Sequence, residues 1–237
     1  MLALSMILVA GAVLLYVLSP AQMLYSTHPW PVYALLCAGM AVAVRRGRRG
    51  GIAVLAVAAV LTATLFYMHS VRSGTDGGEL TVAVGDRFPP VVLPTSTGAS
   101  FSSADMLGRS AVLYLFYRGD WCPFCRTELS VMNEYYERIR AGGVELVAVS
   151  VDPPDVSERL RERLAVPFTF LSDTRGELLD ALGIRHRGGH GDNDIAYPAQ
   201  VLVDANGVVR WTFRANSYRH RAHPDDVLAA IAALETR

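Results

Sequence analysis

Apolar and polar positions divide the chain into two parts of different texture. The first 70 residues carry three hydrophobic runs, Leu2 to Leu18, Trp30 to Val44 and Gly51 to Met68, separated by short polar breaks. A helix needs roughly 17–25 apolar residues to cross a bilayer. The first and third runs reach that length, and the second, which begins beside Pro31, is short. From about residue 80 the pattern changes to apolar runs of strand length alternating with helical periodicity. Ala111 to Tyr117 (AVLYLFY) and Val144 to Val151 (VELVAVSV) read as strands buried on both faces. Between them Leu129, Met132, Tyr136 and Ile139 fall on one helical face. Val156 to Leu164 and Gly176 to Leu182 read as helices, with Phe168 to Leu171 as a short strand between them. Ala199 to Asp204 and Val208 to Phe213 form a hairpin around Asn206-Gly207, the strongest short-range hairpin signal. A last helix starts at about Pro224 and aligns Val227, Ile231 and Leu234. Strand–helix–strand units require a parallel core, and the hairpin adds antiparallel strands, so an α/β fold with a mixed sheet between helices is expected.

Charge sharpens the division. The 237 residues carry no net charge, which offers no argument for a nucleic-acid partner. The only charged residues among the first 70 are the four arginines of Arg45-Arg46-Gly47-Arg48-Arg49. Short loops rich in Arg stay in the cytoplasm. Three spans then place everything after His69 on the extracytoplasmic side, as a multi-pass cell-membrane protein. A cleaved signal peptide would need a basic n-region and a small-residue cleavage site, and the first run shows neither. The expected organisation is an anchor over residues 1–70, a tether over 71–79 containing Ser73-Gly74-Thr75-Asp76-Gly77-Gly78, and a soluble domain over 80–237.

Three cysteines occur, Cys37 in the second apolar run and the pair Cys122 and Cys125. A single close pair fits a redox site better than a disulfide framework. The pair stands where the first buried strand passes into a helix. Unpaired N–H groups and the positive end of the dipole favour a thiolate there, and only the thiolate attacks a disulfide or a peroxide. A spacing of three lets the second thiol reach back to resolve the mixed intermediate. Pro123 suits a first helical position, since it has no N–H to leave unpaired. Zinc would need more ligands than the pair supplies, and no metal or cofactor is expected. His186, His190, His220 and His223 read as solvated loop histidines, the segment "HRGGHGDND" having loop composition. Arg118 and Arg126 flank the dithiol, where a guanidinium would lower a thiol pKa.

These segments resemble a known family. From about Val84 to Leu234, "VGDRFPPVVLPTSTG", "LYLFYRGDWCPFCRTEL", "VAVSVDPPD", "FTFLSD" and "YPAQVLVDANGVVRW" are similar, in order and spacing, to the alkyl hydroperoxide reductase/thiol-specific antioxidant (AhpC/TSA, peroxiredoxin-like) branch of the thioredoxin superfamily. The resemblance implies a thioredoxin-like fold and thiol redox enzymology. It implies as partners protein thiol or disulfide clients or a thiol electron donor, with a hydroperoxide as the alternative substrate. Peroxide-reducing members support their reactive cysteine with Pro, Thr or Ser, and Arg. Alignment on that pattern makes Cys125 the peroxide-attacking residue and places Arg118, Cys122 and Pro198 where those three types stand, so none is retained. The dithiol pattern fits better. It makes Cys122 the exposed attacking thiol and Cys125 the resolving one, with Trp121 covering the edge of the site and Tyr197-Pro198 as the cis-proline segment. The buried acid that thioredoxins carry on the preceding strand is Phe116 here, so the resemblance supplies no proton acceptor.

Overall fold

The computed structural model describes residues 2–18, 24–25, 28–45, 49–74 and 79–234. It divides into two compact units, Met1–Gly74 and Thr75–Arg237. The basic residues 46–48 and the tether residues 75–78 lie outside the described residues.

The first unit holds α1 (Leu2–Leu18), α2 (Trp30–Val44) and α3 (Arg49–Tyr67), the last running on through a π turn at Met68–Arg72. Val9, Ala12, Val32, Leu36 and Ala58 form its buried core. Small residues bring α1 and α2 close: a Cβ on Gly39 would stand 3.0 Å from Val9, and the Ser5 hydroxyl donates to the Gly39 carbonyl at 2.8 Å. Close approach through small residues and a buried hydroxyl is how helices associate where apolar contact alone gives no preference. The outer faces remain apolar, with Ile7, Leu14, Leu18, Ile52, Val57, Val60 and Phe66 exposed. Among the described residues only Gly51–Val71, 21 residues long, is apolar over a full spanning length. The apolar helices α1 and α2 are shorter, at 17 and 15 residues.

The second unit begins with a small hairpin, β1 (Val92–Pro94) and β2 (Ser100–Ser102). It continues through β3 (Ala111–Phe116), α4 (Pro123–Glu134), α5 (Tyr136–Ala141), β4 (Val144–Ser150) and α6 (Pro154–Leu164). Then follow β5 (Thr169–Ser172), α7 (Glu177–Ala181), β6 (Arg185–His190), β7 (Asn193–Ala196), β8 (Ala199–Val203), β9 (Val209–Arg214) and α8 (Pro224–Ala232). The central sheet has the order β5-β4-β3-β8-β9. Its β3–β4 and β4–β5 pairs are parallel, and its β3–β8 and β8–β9 pairs antiparallel. Alternation along β3 separates two cores. Leu113 and Leu115 pack with Leu129, Ile139, Leu160 and Ile231 of α4, α5, α6 and α8, while Val112, Tyr114 and Phe116 pack with Leu178 and Leu179 of α7. This is the mixed α/β sheet with helices on both faces expected above.

Three local readings are corrected. The helix expected to carry Leu129 through Ile139 without interruption breaks at Tyr135, whose N–H bonds back to Met132 O. The segment 186–194, read as a loop, lies within the β6–β7 hairpin. Gly188 and Gly191 supply the φ of 58° and 59° that its turns require, and the Arg185–Asp194 ion pair at 2.7 Å ties its strands. Leu234 lies beyond the end of α8. The turn at Asn206-Gly207 forms as expected, with Gly207 at φ 77° and Asp204 Oδ1 accepting from the N–H groups of Asn206 and Val208 at 2.9 Å each.

Candidate active site

At the end of β3 the chain passes through Tyr117, Arg118, Gly119, Asp120 and Trp121 before α4 starts. Gly119 adopts a φ of 154°, where a Cβ would stand 2.6 Å from the Trp121 indole nitrogen. Cys122 is the N-cap of α4, and Pro123 occupies the first helical turn. Cys125 follows on the buried face, beside Leu129. Both cysteines are thiols here.

Cys122 was expected to be exposed, yet it is 1 % exposed, and Cys125 is 0 % exposed. The reason is the ring-bearing wall around the helix start. Trp121 and Phe124 pack against the cluster that holds both sulfurs. Trp121 is stacked in turn on His190 of β6, with centroids 3.7 Å apart. Phe124 meets Tyr218 at 5.9 Å. Arg118 lies between these groups, 4.9 Å from the Trp121 ring and 5.0 Å from the Tyr218 ring, and donates to the Gly189 carbonyl at 3.3 Å. Beside Trp121 opens a polar cleft of about 530 Å³ lined by Arg118, Asp152, Arg185, His190, Asp192 and Asp194. Arg126 turns away from the dithiol and donates to the Asp120 carbonyl at 2.6 Å.

Behind Cys125 is a network that sequence reasoning missed. Arg221 is buried and donates to Cys125 Sγ at 3.2 Å. Its guanidinium is paired with the buried carboxylate of Glu128, which also accepts from Gln200 at 3.0 Å. Tyr218 and His220 give Arg221 two carbonyl acceptors at 3.0 and 2.8 Å. Glu128 had left a trace, a carboxylate on the apolar face of α4 next to Leu129. Arg221 had left none, because it stands in a polar loop and reaches the dithiol only through the fold.

The two sulfurs are thereby driven apart in acidity. The hydrogen bond with Cys125, joined by the Arg221 and Arg118 guanidiniums, pulls the Cys122 thiol down to about 6 against its burial. Burial, with the same hydrogen bond, holds Cys125 well above its ordinary value. Burial also pushes the Glu128 carboxyl up to about 7, against the pull of Arg221. A thiol ionised at neutral pH thus stands beside one that keeps its proton, with a carboxyl near neutrality close by.

The remaining expected residues are placed as follows. Pro198 links β7 to β8, where Ala199 pairs with Phe116 at the dithiol end of β3. The Tyr197–Pro198 bond was expected to be cis, but no peptide bond is cis among the described residues. The Tyr197 N–H bonds to Ile184 O, and its ring stacks on His186 at 4.5 Å and meets the Arg214 guanidinium at 4.8 Å. The histidines are not all solvated loop residues. His186 and His190 lie on β6 and stack on Tyr197 and Trp121, His220 meets Phe213 at 5.5 Å, and His223 caps α8 through its ring nitrogen.

Comparison with known proteins agrees with this architecture. The AhpC/TSA family model matches residues 84–212. The thiol-disulfide oxidoreductase ResA of Geobacillus kaustophilus (strain HTA426) is 30 % identical over 156 residues, which span 65 % of this chain and 82 % of that protein. Peroxiredoxin Q, chloroplastic, of Sedum lineare is 26 % identical over 158 residues, covering 65 % of this chain and 80 % of its own. Among solved structures, the peroxidoxin BcpB from Mycobacterium tuberculosis superposes with a TM-score of 0.58 at 21 % identity, covering 66 % of this chain and 99 % of that one, a likeness that bears on the fold. With the family matched over more than half of its 237 residues, the chain belongs to the AhpC/TSA family, has the thioredoxin-like fold, and is an oxidoreductase.

Proposed function

We propose that this protein is a membrane-anchored thiol–disulfide oxidoreductase whose Cys122/Cys125 pair cycles between dithiol and disulfide on the extracytoplasmic side. The observation that carries the reading is the placement of the pair: Cys122 at the N-cap of α4 with its acidity raised, Cys125 one turn inside with its acidity lowered. The Cys122 thiolate attacks a partner disulfide and releases one partner thiolate. Cys125 then gives up its proton and attacks Cys122, releasing the second. The dithiol is oxidised by two electrons and the partner disulfide reduced by two, and the cycle runs in either direction according to the partner's potential. Glu128, beside Cys125 and close to neutrality in pKa, is the group suited to take that proton. The direct test is a Cys125→Ser variant, which keeps the attacking thiol and lacks the resolving one. It should accumulate mixed disulfides at Cys122, recoverable and identifiable by mass. Failure to trap any partner in cells where the wild-type pair is redox-active would reject the reading.

Anchoring is supported by the exposed apolar side chains of α1, α2 and α3, by the spanning length of Gly51–Val71, and by the arginines at 45–49. A surface so apolar is unfavourable in water. With the arginines inside, an exposed cysteine placed by Asp226→Cys should be labelled in intact cells by a membrane-impermeant maleimide; labelling only after lysis reverses the orientation.

One observation favours a second reading, a thiol-dependent peroxidase. Arg221 gives Cys125 the guanidinium contact that the peroxide alignment lacks at Pro198. Stopped-flow mixing of the reduced protein with hydrogen peroxide separates the two. A second-order rate far above that of a free thiol, lost in Cys125→Ser, makes the peroxidase reading the correct one.

A further inference from the structure

Cys122 is 1 % exposed, so a partner disulfide can reach its sulfur only after the groups around it move. The cover is joined at one residue, because Arg118 connects the two walls of the mouth. On one side it faces Trp121 and holds Gly189 of the β6–β7 hairpin, and on the other it faces Tyr218 of the segment after β9. All three ties are of a kind that a carboxylate can displace. A ring face holds a guanidinium only weakly where solvent is near, and the bond to Gly189 O is a long one at 3.3 Å. Carboxylates pair with guanidinium through two parallel bonds, stronger and more directional than either tie. Arg118 has no carboxylate partner among the described residues. The neighbouring cleft cation Arg185, in contrast, is taken up by Asp180 and Asp194 at 2.6 and 2.7 Å. The cleft beside Trp121, at about 530 Å³, has the size of a small-molecule site.

We propose that Arg118 is a specificity-determining residue that opens the mouth over Cys122 for a small disulfide bearing a carboxylate a few bonds from its sulfur. The carboxylate draws the guanidinium off Trp121 and Tyr218, which uncovers Cys122 and presents the disulfide to it in one motion. The inference rests on the dithiol reading above. Exchange then proceeds as written there: the Cys122–substrate disulfide forms, one substrate thiolate leaves, and attack by Cys125 releases the second.

The test uses the full-length reduced protein in detergent micelles, in a Cys37→Ala background so that only the pair reports. Two disulfides of similar leaving group are compared, the anionic 3,3′-dithiodipropionate and the neutral 2-hydroxyethyl disulfide. Rates are read as released thiol, at a pH where Cys122 is fully ionised. Wild type should prefer the anionic disulfide by about tenfold or more. Arg118→Ala should abolish that preference while raising the rate with the neutral disulfide, because the mouth stands open. Arg118→Lys keeps the charge without the planar fork, so it should open the mouth equally and retain only part of the preference. A preference that survives Arg118→Ala overturns the inference, and so does a neutral rate that fails to rise in both variants. So would a disulfide-bonded protein such as insulin outpacing the small anionic disulfide in wild type, which would assign the mouth to macromolecular clients. If wild type reacts with none of the three faster than a free thiol, the dithiol reading itself fails.

Discussion

Two arginines lie against one dithiol, and their surroundings differ in every physical respect. Arg118, in front of Cys122, is held by two ring faces and one carbonyl at the edge of solvent. Arg221, behind Cys125, is buried and is fixed by the Glu128 carboxylate, two backbone carbonyls and the sulfur itself. The first set of contacts can be exchanged for a ligand at little cost. The second cannot, because a guanidinium withdrawn from water needs all its partners. The same side-chain type therefore serves as a movable cover on one side and as a fixed field on the other. Of the two guanidiniums, the fixed one does more to lower the Cys122 thiol.

The comparison is broken most severely from the buried side. Glu128→Leu leaves the Arg221 guanidinium enclosed without its carboxylate and should cost about 3–5 kcal/mol of stability, read as a lower denaturant midpoint. The double variant Glu128→Leu/Arg221→Met should recover most of that loss. If the single variant is as stable as wild type, the pair is not a fixed element of the core.

Next in size is the effect on the thiolate. The alkylation rate of Cys122 by iodoacetamide should rise with pH through a midpoint at about 6 and then level off, since the deprotonated form is the one that reacts. Arg221→Met removes the fixed charge that acts on Cys122 and should move that midpoint upward by about one unit or more. Cys125 should be alkylated far more slowly in wild type, and faster modification there would assign the two roles the other way round.

The same stabilised thiolate favours the reduced pair, so its potential should lie above the roughly −270 mV of thioredoxin. In Arg221→Met the potential should fall. Equilibration against glutathione buffers followed by alkylation and mass analysis measures both, and a wild-type value at or below that of thioredoxin contradicts the electrostatic picture.

The smallest effect belongs to the movable side. His190→Ala removes one stacked ring from Trp121, a contact of about 0.5–1.5 kcal/mol. Stability should fall by no more than that, while alkylation of Cys122 by a bulky neutral maleimide should quicken a few-fold. Unchanged access would show that the β6–β7 hairpin takes no part in covering the sulfur.

Much of this molecule could be read from order along the chain. Continuous apolar runs such as Ala111–Phe116 and Val144–Ser150 can be satisfied only as strands buried on both faces, and Asn206-Gly207 admits the positive φ of a tight turn, so sheet and hairpin follow from local chemistry. The placement of Cys122 and Pro123 at a helix start is equally local, because Pro is tolerated there and not deeper. Tertiary structure alone decided the rest. The β6–β7 hairpin escaped notice because its strands carry Gly, Arg and His rather than alternating apolar residues, and the Arg185–Asp194 pair and ring stacking hold it instead. The rings that meet the neighbours of Cys122, Tyr218 beside Phe124 and His190 on Trp121, come from 96 and 68 positions away in sequence. The acidity of the pair depends on Arg221, whose chain position follows no period and no motif. Periodicity reports which residues must leave water; which charge meets which sulfur is settled by where the sheet and helices bring distant loops together.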